Sequence, residues 1–245
     1  MFAISQENTL FSATYKGKLS GFSVKTKRTL IELSPNHYEL KSVARNALAS
    51  ITEQSFFQVS APSTETTSSN NATGTTTQFI PEKYLYERKI LGANSQQQLL
   101  FDWSNLTAQY IRKDKPKKNK SHQILQGMLD PSLYQLKLQQ DAHTGQKTFH
   151  YRYPKTWKIN TMDFTLNGET TFQLDKTTYD AIQLKRIHQD DEKQTQITLI
   201  PDLHFQIAEI THTEEDGKSY SITLTDFRAN DTKLHEFYTN SLSHK

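Results

Sequence analysis

The chain has no cysteine, only 8 glycines and 7 prolines in 245 residues, and no run of about 18 apolar residues. The first absence excludes a disulfide framework, a cysteine-ligated zinc site and a thiol nucleophile. Few glycines and prolines exclude collagen-like and elastic chains. Without a long apolar run, no helix of this sequence spans a membrane. Charge of one sign is also scarce. The formal net charge is only +3, so composition gives no push toward nucleic acid. Apolar residues make up 34% of the chain, against about 45–50% in an ordinary globular domain, a benchmark that also counts glycine.

What is present points to sheet. Phe 13, Tyr 11 and Trp 2 bring aromatics to 11%, and threonine, serine and glutamine are abundant. Aromatic and β-branched residues fit a half-buried pleated surface, and a disordered chain would lack them. Period-2 alternation is visible in Phe149, Tyr151 and Tyr153 against His150 and Arg152. It recurs in Tyr220, Ile222 and Leu224, in Ile182 and Leu184, and in Ile197 and Leu199. This pattern predicts antiparallel strands with one wet face. Gly17–Gly21 reads as a hairpin between Leu10–Lys16 and Phe22–Leu33. Pro35-Asn36, Asn167-Gly168, Asp190-Asp191 and Asp216-Gly217 read as further reversals. One segment differs. Asp130-Pro131 has the form of an N-cap followed by proline at the first helical position. Leu133, Leu136 and Gln140 then recur at helical spacing, with Gly145 to close. A helix is expected over 131–142, with a turn or helix over Gln123–Leu129.

The expected fold is therefore mainly β: a strongly curved antiparallel sheet, a half-barrel or open barrel, with one main helix across it. One domain is expected over 1–228, followed by a polar tail or short helix over 229–245. Within it, 63–78 is threonine- and serine-rich with no large apolar residue before Phe79. It reads as a flexible loop, and Asn71-Ala72-Thr73 matches a glycosylation acceptor. The basic run 112–120 carries six cations, Arg112, Lys113, Lys115, Lys117, Lys118 and Lys120. Its sharp reading is a site for an anionic headgroup. The plainer one is a solvated connection between the last strand of one half and the helix, which Pro116 and Asn119 favour. No aromatics interleave with these charges, as nucleic-acid binding would want.

Motifs for chemistry are sparse. The sequence holds no G-x-S-x-G, no glycine-rich phosphate loop and no H-x-H or H-E-x-x-H, so neither a metal nor a cofactor is expected. The acidic clusters Asp190-Asp191-Glu192 and Glu214-Glu215-Asp216 fall at predicted hairpin tips, where aspartate serves backbone needs. Asp102 beside Trp103 is the carboxylate best placed to touch a sugar, though a strand would point the two residues to opposite faces.

The order of short motifs carries a resemblance. Ala13-Thr14-Tyr15-Lys16-Gly17 is followed by Gly21-Phe22, by Tyr38-Glu39-Leu40 and by Ala49-Ser50-Ile51-Thr52-Glu53. Tyr86-Glu87-Arg88, Phe101-Asp102-Trp103 and the helix segment Asp130–Leu136 come next. Gly168-Glu169, Ile182–Arg186, Pro201-Asp202-Leu203 and Asp216–Tyr220 complete the series. Over residues 8–228 this resembles the bacterial envelope family of domain-of-unknown-function 3108. The resemblance implies a periplasmic protein and a curved sheet similar to that of the lipoprotein-localisation carriers. The family has no established activity as a class, so it lends no catalytic residue. Met1-Phe2-Ala3-Ile4 has neither a charged nor an apolar signal region, so a signal peptide is expected to be removed or upstream. The threonine-rich insert departs from the family pattern. So does Phe205-Gln206-Ile207-Ala208, where the family often has Leu-Pro-Val.

Three functions are weighed. The first is a non-catalytic envelope protein that binds a lipid or other amphiphile in the concave face. Its lining would be Tyr84, Tyr86, Phe101, Trp103, Leu133, Leu136, Phe149, Tyr151, Tyr220 and Ile222. Against it stands a closed core made of the same residues. The second is an interaction protein that docks an envelope partner. The third is a glycan hydrolase using Asp102 or the acidic turns, which needs two carboxylates facing one pocket.

Overall fold

The computed structural model describes residues 8–19, 22–60, 78–156, 158–187 and 193–239. Several expectations fall outside these: the start Met1–Ile4, the 63–77 part of the loop with its sequon, the Asp190-Asp191-Glu192 cluster, and the end of the tail.

The elements run β1 (Thr9–Leu19), β2 (Phe22–Ser34), β3 (His37–Arg45), β4 (Ala49–Ser60), β5 (Gln78–Ile90), β6 (Ala93–Asp102), β7 (Thr107–Arg112), β8 (Lys120–Gln123), then α1 (Leu133–His143). The second half is β9 (Thr148–Lys155), β10 (Lys158–Leu174), β11 (Thr177–Ile187), β12 (Gln194–Ile200), β13 (Gln206–Thr213), β14 (Ser219–Ala229) and α2 (Asp231–Thr239). All strands belong to one 14-stranded antiparallel sheet of order β8-β7-β6-β5-β4-β3-β2-β1-β14-β13-β12-β11-β10-β9. Every neighbour is a sequence neighbour except β1 and β14, whose pairing joins two meandering arms. The edges β8 and β9 come near each other, so the sheet is an almost closed barrel. His122 Nε2 lies 2.8 Å from Thr156 O, and Leu129 N–H donates to Arg152 O at 2.9 Å.

α1 runs inside this barrel. Leu133, Leu136, Leu138 and Ala142 are buried, and so are Gln139, Gln140 and Asp141. A helix on a sheet's outer face would bury one stripe only. Because this one is surrounded, its polar side needs partners within the barrel. Gln139 donates to Gln206, which donates to the Tyr15 hydroxyl, and Asp141 pairs with Lys137 and accepts from Tyr151. Buried amides of this kind account for part of the low apolar fraction. α2 starts from Asn230, whose Oδ1 accepts from Lys233 N–H at 3.2 Å. It lays Phe237 edge-on against Tyr38 at 4.9 Å and stacked on Phe79 at 5.5 Å. Leu234, Phe237 and Tyr238 are buried, so one end of the barrel, by the C-terminus of α1, is filled with rings. Neither helix is long and apolar enough to cross a membrane.

Four readings of the sequence change. Asn167-Gly168 is no reversal. β10 runs through it, with a bulge against β11 between Leu166 and Gly168, and Gly168 takes φ 141°, which suits a bulge as well as a turn. The reversal comes later, at Asp175. Gly17 lies within β1 rather than in a turn. A Cβ there would stand 2.3 Å from Ser221 O on β14, so the position needs glycine for close approach of two backbones. The helix starts at Leu133, two residues later than expected, because Pro131 and Ser132 form a turn held by Asp130. Finally, the basic run does not connect a strand to the helix. It forms the β7–β8 hairpin, with a 3-10 turn at Pro116–Lys118.

Candidate ligand-binding cleft

The barrel interior is closed along most of its length. Leu133, Leu136, Phe149 and Tyr151, expected to line an apolar cavity, sit in the main core at 0%, 0%, 2% and 5% exposure. Ile222 packs at the edge of the same core, and Tyr220 is half-buried on β14 opposite His212. α1 and α2 occupy the space that a bare curved sheet would leave. Phe101 stacks on Trp103 at 5.9 Å. Trp103 donates its indole N–H to Pro81 O at 2.7 Å, and both rings pack on Ala108, Ile124 and Met128, beside the seam between β8 and β9.

An opening remains at the N-terminal end of α1. It is a cleft of about 460 Å³ bounded by β4–β7 on one wall, α1 and its lead-in above, and β9–β10 on the other wall. Tyr84 and Tyr86 face it. Tyr110, Tyr134 and Tyr153 join them, with Glu53, Gln97 and Gln135 between the rings. Register explains one wall: Tyr84, Leu99 and Tyr110 stand opposite one another on β5, β6 and β7, and Tyr86 faces Gln97. The other wall is tertiary. Tyr134 on α1 stacks on Tyr153 of β9 at 5.7 Å with the rings 7° from parallel.

The polar groups are organised. Tyr84 donates to Glu53, and Tyr110 donates to Gln97 at 2.9 Å. Burial, with the Glu53 charge beside it, pushes the Tyr84 hydroxyl well up. Burial likewise raises Tyr86, Tyr110, Tyr134 and Tyr153. All five therefore remain neutral phenols at physiological pH, offering ring faces and hydroxyl groups. Gln135 is held by Arg28, which reaches in from β2 at 2.9 Å and also bonds Ser132 O.

Beneath this lies Asp130, which is fully buried. Its Oδ1 accepts from Ser132 N–H at 2.8 Å, Leu133 N–H at 2.9 Å and the Ser55 hydroxyl at 2.9 Å. It thus holds the turn that leads into α1, whose N-cap position is Ser132, and ties that turn to β4. Oδ2 has no partner. Burial raises the carboxyl to about 7 against these hydrogen bonds, and Glu53 adds to the rise.

The other candidates lie elsewhere. Arg112 is taken up by Asp114 through two bonds of 2.9 and 2.8 Å. Lys113, Lys115, Lys117, Lys118 and Lys120 stand exposed along the same hairpin. Asp102 is exposed, and hydrogen bonds from Asn105 keep its carboxyl low. Glu214 and Asp216 are paired with His212 and Lys218 at the β13–β14 turn. None of these carboxylates lines the cleft. Among the described residues no group of three or more histidines and acids could hold a metal ion. Sequence reasoning missed Glu53, Tyr110, Tyr134, Tyr153 and Gln135. Alternation along β4, β7 and β9 could have placed three of them on the inner face; nothing local indicates that α1 brings Tyr134 to Tyr153.

No curated protein matches the chain. A crystal structure of a beta-barrel-like protein of the domain of unknown function DUF1849 from Brucella abortus is similar in fold. Its TM-score is 0.52 at 11% identity, covering 91% of this chain and 99% of that one. The model of the family described as protein of unknown function (DUF3108) matches residues 10–225, and the chain belongs to that family.

Proposed function

We propose that this protein is a non-catalytic binding module of the periplasm that holds an envelope amphiphile in the tyrosine-lined cleft. The observation that carries this reading is the contrast within one barrel. The interior is packed shut, while the seam end keeps a 460 Å³ hollow whose walls mix five phenol rings with Glu53, Gln97 and Lys155. Volumes of about 300–1,000 Å³ with apolar faces and a few convergent polar groups are the usual dimensions of ligand sites. The rings would take the apolar body, and the carboxylate, amides and ammonium would take a polar head. The periplasmic setting rests on the family resemblance. With the core filled, the ligand lies at the seam rather than along the concave face.

Native mass spectrometry of the protein purified from the cells that make it is the test. A bound species is expected, and Tyr86→Ala, which removes one ring outside the main core, is expected to lose it. A ligand-free mass together with no uptake of a fluorescent acyl probe would refute the reading.

A further inference from the structure

The outer face of the barrel carries a row of cations, apart from the cleft. Lys16 on β1 stands directly opposite Lys25 on β2, and Lys25 stands directly opposite Arg45 on β3. Directly opposed side chains on neighbouring strands have Cβ atoms about 5 Å apart, and like charges there are destabilising. Lys18 adds a fourth cation two residues along β1 on the same face. These four line one hollow of about 730 Å³, together with hydroxyl groups that include Ser219 and Ser221 of β14, and among the described residues no carboxylate lines it.

Several cations elsewhere have an acid partner and many do not; what sets this row apart is three cations directly opposed on three neighbouring strands. Lys89 is paired with Glu87, Arg112 with Asp114, Lys193 with Glu215, Lys218 with Asp216 and Arg228 with Asp226. Lys16, Lys18, Lys25 and Arg45 make no ion pair or side-chain hydrogen bond among the described residues. The nearest acid along the row is Glu209 on β13. It accepts from Thr223, which stands between it and Lys16 on β14. A net charge of +3 over the whole chain does not require four unpaired cations in one hollow. A multiply charged anion seated among them would relieve their repulsion, held by charge-assisted bonds from ammonium and guanidinium groups and by the serine hydroxyls.

We propose that this hollow binds a phosphate-bearing anion, with Lys16, Lys25 and Arg45 as its charged contacts and Ser221 and Ser219 beside them. Such an anion is either a soluble diphosphate or the headgroup of an anionic lipid, and both offer the same chemistry to this row.

Calorimetric titration of the full chain with inorganic pyrophosphate, and flotation with phosphatidylglycerol or phosphatidylcholine vesicles, test it. Saturable binding that weakens with salt is expected. Lys25→Glu is expected to lose about tenfold or more in affinity. Its melting temperature should hold or rise, because the new carboxylate sits between Lys16 and Arg45. Lys117→Glu, on the β7–β8 hairpin, is expected to change nothing. Binding of pyrophosphate alone assigns a soluble ligand; binding of phosphatidylglycerol vesicles that Lys25→Glu abolishes assigns a headgroup. The proposal is overturned if neither probe binds, if Lys25→Glu keeps wild-type affinity, or if Lys117→Glu weakens binding as much.

Discussion

Replacing Asp130 by Asn separates two roles of one carboxylate. Its Oδ1 accepts three hydrogen bonds that start α1 and join it to β4, and an asparagine carbonyl can accept the same three. Its charge, in contrast, is a cost, because the group is fully buried and Oδ2 is unpartnered. With the folded carboxyl at about 7 instead of 3.8, the native state holds a proton that the unfolded chain has released. Stability from this group is therefore intact below the unfolded value, falls as pH rises from about 4 to 7, and is level above that. At 1.36 kcal/mol per unit, wild type loses up to about 3 kcal/mol relative to Asp130→Asn between pH ~5 and pH ~8. Near pH 5 the two should be within about 1 kcal/mol, since the buried acid O–H and the amide N–H are both unpaired there. Asp130→Ala loses these bonds, including the one from Ser55, and should be about 2–3 kcal/mol less stable than Asp130→Asn at either pH. Urea unfolding at both pH values reads these differences. A gap between wild type and Asn that does not move with pH refutes the buried charge. An Asn variant as unstable as Ala refutes the hydrogen-bond geometry.

Three further outcomes follow from the packing. Leu136→Ala, at 0% exposure in the closed core, is expected to cost about 2–5 kcal/mol in denaturant; a cost under about 1 kcal/mol would mean that α1 borders open space. Gly17→Ala should destabilise by about 2–3 kcal/mol, because its methyl meets the Ser221 carbonyl at 2.3 Å and β1 must part from β14; thermal melts check this. His143 packs against His204, Phe205 and Tyr238 with Nε2 unpartnered. Burial first, then the charges of His204 and His235, lowers it to about 4. Its folded value is depressed, so stability falls as pH drops from 6.5 toward 4. Hydrogen exchange in α2, which carries His235 and the Asp231 that faces His204, should speed up in that window beyond the intrinsic rate, and His143→Phe should flatten the response.

The barrel was legible in the sequence wherever the two faces of a strand differ. Phe149, Tyr151 and Tyr153 are buried, and His150 and Arg152 exposed, as their alternation says. On β14 the pattern of Tyr220, Ile222 and Leu224 is equally clean, yet most residues of both faces are half-buried. Asn167-Gly168 misled because positive φ serves a bulge as well as a turn. Asp130 was readable as marking the helix start, two residues ahead of the N-cap position at Ser132, but its partner Ser55 lies on a distant strand. Lys16, Lys25 and Arg45 become neighbours only through register, so no window along the chain displays them together. The cleft was half legible for the same reason. β5 places Tyr84 and Tyr86 on one face by period alone, whereas Tyr134 meets Tyr153 only because β9 runs back alongside α1 to the helix's N-terminal end. Core and cavity lining share one alphabet, so Leu133 and Phe149 could not be sorted from Tyr86 before the helix was placed.

Photo-crosslinking from inside the cleft tests most directly whether it holds a ligand in the envelope. A photoreactive amino acid in place of Tyr86, activated in living cells, is expected to give a discrete small-molecule adduct. The same group in place of Ile111, on the outer side of β7 and lining no part of the cleft, should give none. The same adduct from both positions, or none from either, would contradict a ligand seated among these tyrosines.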